Sequence, residues 1–240
     1  MVFDSTKKMK LIGMITAMDE ELEAILSLID NPEKEIYNKI HIYKGILNDQ
    51  NIIVCKSGVG KVQAAMATTI LITYFKADIV INVGIAGSLH KEISLENVVI
   101  ADKVAQWDFD LTAFNEMKGF ANPRYTFEVS NILLDKLKKR LLNEQKVVFG
   151  PMVTGDQFVY QSNQIENIKD TYKEALCVDM EAGAIAQICS FLNIPFLIIR
   201  TISDIVDNDK SEETYEQLII KASNVAAKYT RIVIEALFND

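Results

Sequence analysis

Two carboxylates have the types and settings that could do chemistry. Glu181 lies in Val178-Asp179-Met180-Glu181-Ala182, and Asp204 closes Arg200-Thr201-Ile202-Ser203-Asp204 after an apolar run. Together they suggest a clamp for a sugar and an acid catalyst. A third acidic group, Asp19-Glu20-Glu21, follows an apolar stretch and reads first as helix-start electrostatics, since carboxylates are favoured where the helix dipole is positive. Ser57-Gly58-Val59-Gly60-Lys61 resembles a phosphate loop. Cys55 stands where its first glycine belongs, however, and Val62 replaces the hydroxyl that would hold magnesium, so a nucleoside triphosphate site is rejected. The chain has 2 histidines, His41 and His90, far apart in sequence, which supports neither a metal triad nor a Ser-His-Asp arrangement. The chemistry falls to carboxylates, with no metal and no cofactor expected.

Something must hold those groups. At 240 residues and 49% hydrophobic, the chain can bury one large core and reads as one domain, 10–240, behind a short extension, 1–9. The net charge of -8 and the absence of a basic run interleaved with aromatics argue against nucleic acid and acidic membranes as partners. The 3 cysteines, Cys55, Cys177 and Cys189, sit in or beside apolar runs without CxxC spacing, as buried thiols in a reducing compartment do. Lys7, Lys8 and Lys10 precede an apolar run, Leu11 to Met18, that acidic residues end too soon for a signal or membrane segment. The expected location is the cytoplasm.

Strand and helix patterns alternate along the chain. Strands are predicted at 10–16, 41–47, 51–55, 79–83, 98–104, 147–153 and 194–199, with a short one around Val178 and a hairpin turn at Asn48-Asp49. Helices are predicted at 19–28, 61–75, 131–143, 180–191 and 211–237, the last opened by Ser211 as cap; 84–92 reads as loop. The implied fold is α/β, a mixed, mostly parallel sheet with helices on both faces in three layers. Ligands of such sheets sit beyond the carboxyl ends of strands, which directs attention to 18–21, 84–88, 154–159 and 203–204.

Six segments, in order, carry a resemblance. Ile12-Gly13-Met14-Ile15-Thr16-Ala17-Met18-Asp19-Glu20-Glu21, Lys56-Ser57-Gly58-Val59-Gly60-Lys61-Val62, Asn82-Val83-Gly84-Ile85-Ala86-Gly87, Gly155-Asp156-Gln157-Phe158, and the two carboxylate motifs are similar to those of bacterial 5'-methylthioadenosine/S-adenosylhomocysteine nucleosidases, over about residues 10–235. The resemblance implies a nucleoside phosphorylase-like fold and hydrolysis of an N-ribosidic bond to adenine. Asp204, held by Ser203, would protonate the leaving base, with a pKa raised by partial burial. Glu181 would bind the sugar hydroxyls and face the developing cation, with Met180 against the sugar. Glu21 would deprotonate water on the opposite face, oriented by Arg200, giving inversion. Phe158 would stack on adenine, Val159 would read its edge through the backbone, and Ala86 and Gly87 would line base and sugar. Met18, Val59, Leu111, Phe114 and Tyr215 would surround the 5'-substituent, with Leu111 and Phe114 reaching in from the second subunit of a homodimer.

Three other readings compete. Nucleoside phosphorylases of the hexameric bacterial type present Arg-Val-Gly-Ser where this chain has Asn82-Val83-Gly84-Ile85, and carry another arginine where it has Asp19-Glu20-Glu21; both changes disfavour a phosphate dianion. A binding protein on the same fold would call for an export signal, a basic surface or a lost catalytic acid. Hydrolysis of 6-amino-6-deoxyfutalosine would use the same chemistry with a different 5'-pocket. Two departures from the family pattern bear on that pocket: Ile85 replaces a frequent serine, and 115–124 lacks the usual Tyr and Gly-Gln-Leu-Pro-Gly pattern.

Overall fold

The structure is a computed structural model and describes residues 11–205 and 214–238, with the side chains of residues 204 and 205 outside the description. The apolar run at the start forms β1 (Ile12–Thr16), buried at every position. It is flanked in parallel by β4 (Gln50–Lys56) on one side and β5 (Ile79–Ser88) on the other. Beyond β4 the sheet continues through β3 (Ile40–Leu47) and the edge strand β2 (Glu33–Tyr37), both antiparallel. The β3–β4 hairpin turns at Asn48 and Asp49, with φ 48° and 60°, the left-handed geometry that Asn and Asp tolerate best.

On the other side of β5 the sheet closes on itself. β5 pairs in parallel with β10 (Phe196–Ile205); β10 is antiparallel to β6 (Val98–Gln106); β6 runs parallel to β8 (Val147–Thr154); β8 runs parallel to β9 (Cys177–Asp179); and β9 returns antiparallel to β5. A short strand, β7 (Thr126–Glu128), adds to β6. The sheet is therefore mixed, with five parallel and five antiparallel pairings among the described residues, and the longest ladder, β5–β10, is parallel. Helices α1 (Asp19–Leu26), α2 (Lys61–Thr73), α3 (Asn131–Arg140), α4 (Ser162–Thr171), α5 (Ala182–Phe191) and α6 (Tyr215–Phe238) cover it. Met14, Ile15, Val54, Ile81, Ile100, Ile185, Ile198 and Val233 share one continuous core and are excluded from water, the main favourable term in folding.

Five segments differ from the expectation. Gly84 to Ser88 is not loop: it is the carboxyl half of β5, paired with β10 along its length and with β9 at Gly87 and Ser88. Two glycines and an alanine give that stretch little strand preference of its own, and partners on both edges override it. Residues 180 and 181 precede α5, so Glu181 is its N-cap. Strands β2 and β7 and helix α4 were unforeseen, being short or polar. The expected cap Ser211 and the extension 1–9 lie outside the described residues; Thr214 and Gln217 exchange the reciprocal bonds of a capping box at the start of α6.

Candidate active site

The segments singled out by the sheet rule converge on one cavity of about 150 Å³. Met18 and Glu21 come from the β1–α1 junction, Val59 from the β4–α2 loop, Ile85, Ala86 and Gly87 from β5, Phe158 and Val159 from beyond β8, Met180 and Glu181 from the β9–α5 junction, Ser203 from β10 and Tyr215 from α6. No lysine or arginine lines it among the described residues. Phe158 and Tyr215 meet edge to face across the mouth, ring centres 6.1 Å apart, both half exposed.

Glu21 is 4% exposed although it carries a carboxylate. Being the third residue of α1, it folds back to accept the amides of Ala17 (2.7 Å) and Met18 (3.0 Å) on Oε2, as helix-start acids do, while Oε1 accepts the amide of Ile85 from β5 (3.0 Å). Burial pushes its carboxyl above the ordinary range; the Arg200 charge and the three amides pull the other way. The approach needs Gly84. A Cβ there would stand 2.5 Å from Glu21 Oε1 and 3.2 Å from Arg200 Nη1.

Glu181 accepts the amide of Gly60 (2.9 Å) and lies 3.8 Å from Arg200 Nη2. Burial, then repulsion from Asp179, pushes it up to about 8 against the pull of Arg200 and the Gly60 amide. Arg200 itself is 2% exposed and stays charged: burial opposes its charge, and Asp179, Glu181 and Glu21 more than offset that. Its guanidinium donates to Asp179 through Nε (3.1 Å) and Nη2, to Asn82 Oδ1, and to the Ile199 carbonyl (3.2 Å). These bonds go to Asp179 and Asn82, where a direct bond to Glu21 was expected. Arg200 faces Glu21 as a nearby charge.

Asp179 was overlooked as a functional residue although it stands in the Glu181 motif. It accepts Arg200, the Thr154 hydroxyl and the Ala182 amide (2.9 Å), tying β8, β9, α5 and β10 together beneath the cavity. Asn82 and Gln157 were likewise not foreseen; Gln157 lines the cavity, and Asn82 spans from Arg200 to the Ile15 carbonyl (3.0 Å). A strand asparagine flanked by isoleucine and valine was the available signal, because a buried amide must find partners.

Asp204 enters through its backbone. The β5–β10 ladder slips between Ile202 and Asp204, a bulge that sets the Asp204 backbone against Gly87 in the cavity wall. Its side chain lies outside the described residues. Leu111 and Phe114 are not brought into the cavity. Leu111 sits in a separate small hollow with Phe109, Met117 and Tyr125, and Phe114, on a single 3₁₀ turn, is 77% exposed.

Residues 11–238 match the model of the phosphorylase superfamily. A curated 5'-methylthioadenosine/S-adenosylhomocysteine nucleosidase of Maridesulfovibrio salexigens is 35% identical over 229 residues, 94% of this chain and 98% of that one. The chain belongs to this nucleosidase family. Among solved structures, the family's S. pneumoniae member, bound to the transition-state inhibitor MT-ImmA, superposes with a TM-score of 0.87 at 34% identity, covering 95% of this chain and 99% of the other. A futalosine hydrolase of Helicobacter pylori is also similar, with a TM-score of 0.83 at 30% identity and coverage of 95% and 98%. The family's nucleoside phosphorylase-like α/β fold is the one described above. No helix among the described residues is long and apolar enough to cross a membrane.

Proposed function

We propose that the chain hydrolyses the N-ribosidic bond of 5'-methylthioadenosine and S-adenosylhomocysteine, releasing adenine and the 5-substituted ribose. The observation that carries the reading is the pair of buried carboxylates, Glu21 and Glu181, in one apolar-walled cavity whose nearest guanidinium is engaged by Asp179 and Asn82. Such a site can stabilise a sugar cation and activate water, and among the described residues its lining offers a phosphate dianion no lysine or arginine.

Glu21, its carboxyl raised by burial, takes the proton from the attacking water. Glu181 accepts the sugar hydroxyls on the face where the oxocarbenium-like transition state develops, beside Met180. Asp204, with Ser203, protonates the departing adenine, which leaves poorly as an anion. Phe158 and the Val159 backbone hold the base, Ala86 and Gly87 line base and sugar, and Met18, Val59 and Tyr215 enclose the 5'-substituent. Arg200 acts on this set through charge and by fixing Asp179.

The enzyme works as a homodimer in this reading, with Leu111 and Phe114 completing the 5'-pocket of the partner; the exposure of Phe114 supports it. Residues 10–240 form the catalytic domain, acting in the cytoplasm in methionine salvage and in recycling by-products of S-adenosylmethionine. A second reading, hydrolysis of 6-amino-6-deoxyfutalosine, is favoured by the likeness to the futalosine hydrolase and by the departure at 115–124.

The deciding experiment measures adenine release from 5'-methylthioadenosine, S-adenosylhomocysteine and 6-amino-6-deoxyfutalosine with phosphate removed and then restored. Release without phosphate, giving free ribose derivatives, is expected. Strict phosphate dependence would make the chain a phosphorylase, and no release under either condition would return it to the binding proteins.

A further inference from the structure

Outside the cavity, three loops are fastened by one lysine. Lys61 Nζ lies 2.7 Å from Asp108 Oδ1, after β6, and 3.8 Å from Asp156 Oδ2, after β8. The backbone closes the ring: the Lys61 amide donates to Asp156 Oδ1 (2.9 Å), and the Asp156 amide donates to Asp108 Oδ2 (2.8 Å). Lys61 and Asp108 are half-buried and Asp156 is exposed. Surface pairs of this kind contribute little to stability on their own. Their position matters more.

The residue before Lys61 is Gly60, at φ 100° and ψ 159°, a conformation that residues with a side chain rarely adopt. Its amide is the one that donates to Glu181, and a Cβ there would stand 3.3 Å from Asp156 Oδ1. The residues just after Asp156 are Gln157, Phe158 and Val159 of the cavity wall. A side chain is held within a few tenths of an ångström only if its own partners are held. Here the partner of Glu181 is a glycine amide in a loop held within itself by Ser57 Oγ on the Gly58 carbonyl (2.8 Å) and by Gln63 Nε2 on the Val59 carbonyl (3.2 Å), and the Lys61–Asp108–Asp156 clasp fastens that loop to the 155–159 loop beside it.

Resting on the nucleosidase reading, we propose that Lys61 and Asp156 are positioning residues for Glu181: by locking the 57–61 loop to the 155–159 loop they keep the Gly60 amide on Glu181 and set the carboxylate for the sugar hydroxyls. They touch no substrate themselves. Asp108 lies three residues before Leu111, so the clasp also joins the loop proposed to reach the partner subunit to the sugar clamp of its own subunit.

The test compares kcat/KM of the wild type, Lys61→Met and Asp156→Ala on 5'-methylthioadenosine and on its counterparts lacking the 2' or the 3' hydroxyl. Each variant should lose roughly 10- to 100-fold on the full substrate, as small misplacements of a catalytic group do. On the counterpart missing the hydroxyl that Glu181 holds, the loss should shrink to about threefold or less, because the two changes then act on one interaction. Comparing substrates within one variant removes any general loss of folded protein, and Asp156→Ala, at an exposed site, carries the test if Lys61→Met does not fold. Equal losses on all three substrates, or none, would overturn the positioning role in an active enzyme. A wild type that releases no adenine from any of them would instead overturn the functional reading and this role with it.

Discussion

Glu21 and Glu181 are the same side chain put to different uses by their surroundings. Glu21 has both oxygens on backbone amides and little freedom left, whereas Glu181 has one amide and keeps an oxygen 3.8 Å from Arg200. The second arrangement suits a group that must accept new hydrogen bonds from a ligand. Burial of Glu181 carries a stability signature. Its carboxyl titrates near 4.5 when the chain is unfolded and near 8 in the folded protein, so between those values the folded state holds the extra proton and stability falls as pH rises. Glu181→Gln should therefore raise the melting temperature more at pH 8 than at pH 5, measured by calorimetry at both; an equal gain would refute the shift. Asp204→Asn should lower the rate of adenine release by about 2 to 4 orders of magnitude, the range for a lost general acid, in single-turnover assays. Glu21→Gln should block turnover while a nucleoside still binds, as isothermal titration would show. The meeting of the Glu21 and Glu181 segments at one cavity was legible from their motifs; the engagement of Arg200 by Asp179 was not, because a guanidinium near several carboxylates chooses by three-dimensional geometry.

At the level of elements, β5 does two jobs. Its first half is buried isoleucine and valine at the centre of the sheet, as the apolar run indicates. Its second half, Gly84 to Ser88, has a glycine at 84 because Glu21 and Arg200 press against the strand there, and it remains a strand because β10 and β9 pair with it. Gly84→Ala should push Glu21 off the Ile85 amide. We expect a loss of about 1–3 kcal/mol in stability from overpacking, read by denaturant unfolding, together with a fall in kcat. A fully active, equally stable variant would show that the approach is looser than the structure has it. Helices α2 and α5 were legible as long, alanine-rich apolar runs, and the short or polar elements β2, β7 and α4 were not, since they form by pairing with or packing on what is already there.

For the whole molecule, the open question is the second subunit. Phe114, Phe109 and Met117 are exposed together on one loop, an arrangement that favours burial against a partner. Sedimentation should show a dimer at micromolar concentration. Phe114→Ala should raise KM for 5'-methylthioadenosine more than it lowers kcat, because the residue is expected to touch the 5'-substituent and not the reacting atoms; a monomer with full activity would remove Leu111 and Phe114 from the site. The sequence by itself determined the α/β class, the alternation of elements and the loops that would meet, since each follows from local pattern or motif order. The tertiary structure alone decided that the sheet closes through β9, that Asp179 and Asn82 take up Arg200, that Gly60 serves Glu181, and that Leu111 and Phe114 stay outside their own subunit's cavity. Those facts depend on which distant segments touch, and contacts between residues 21 to 121 positions apart leave no local trace in the chain.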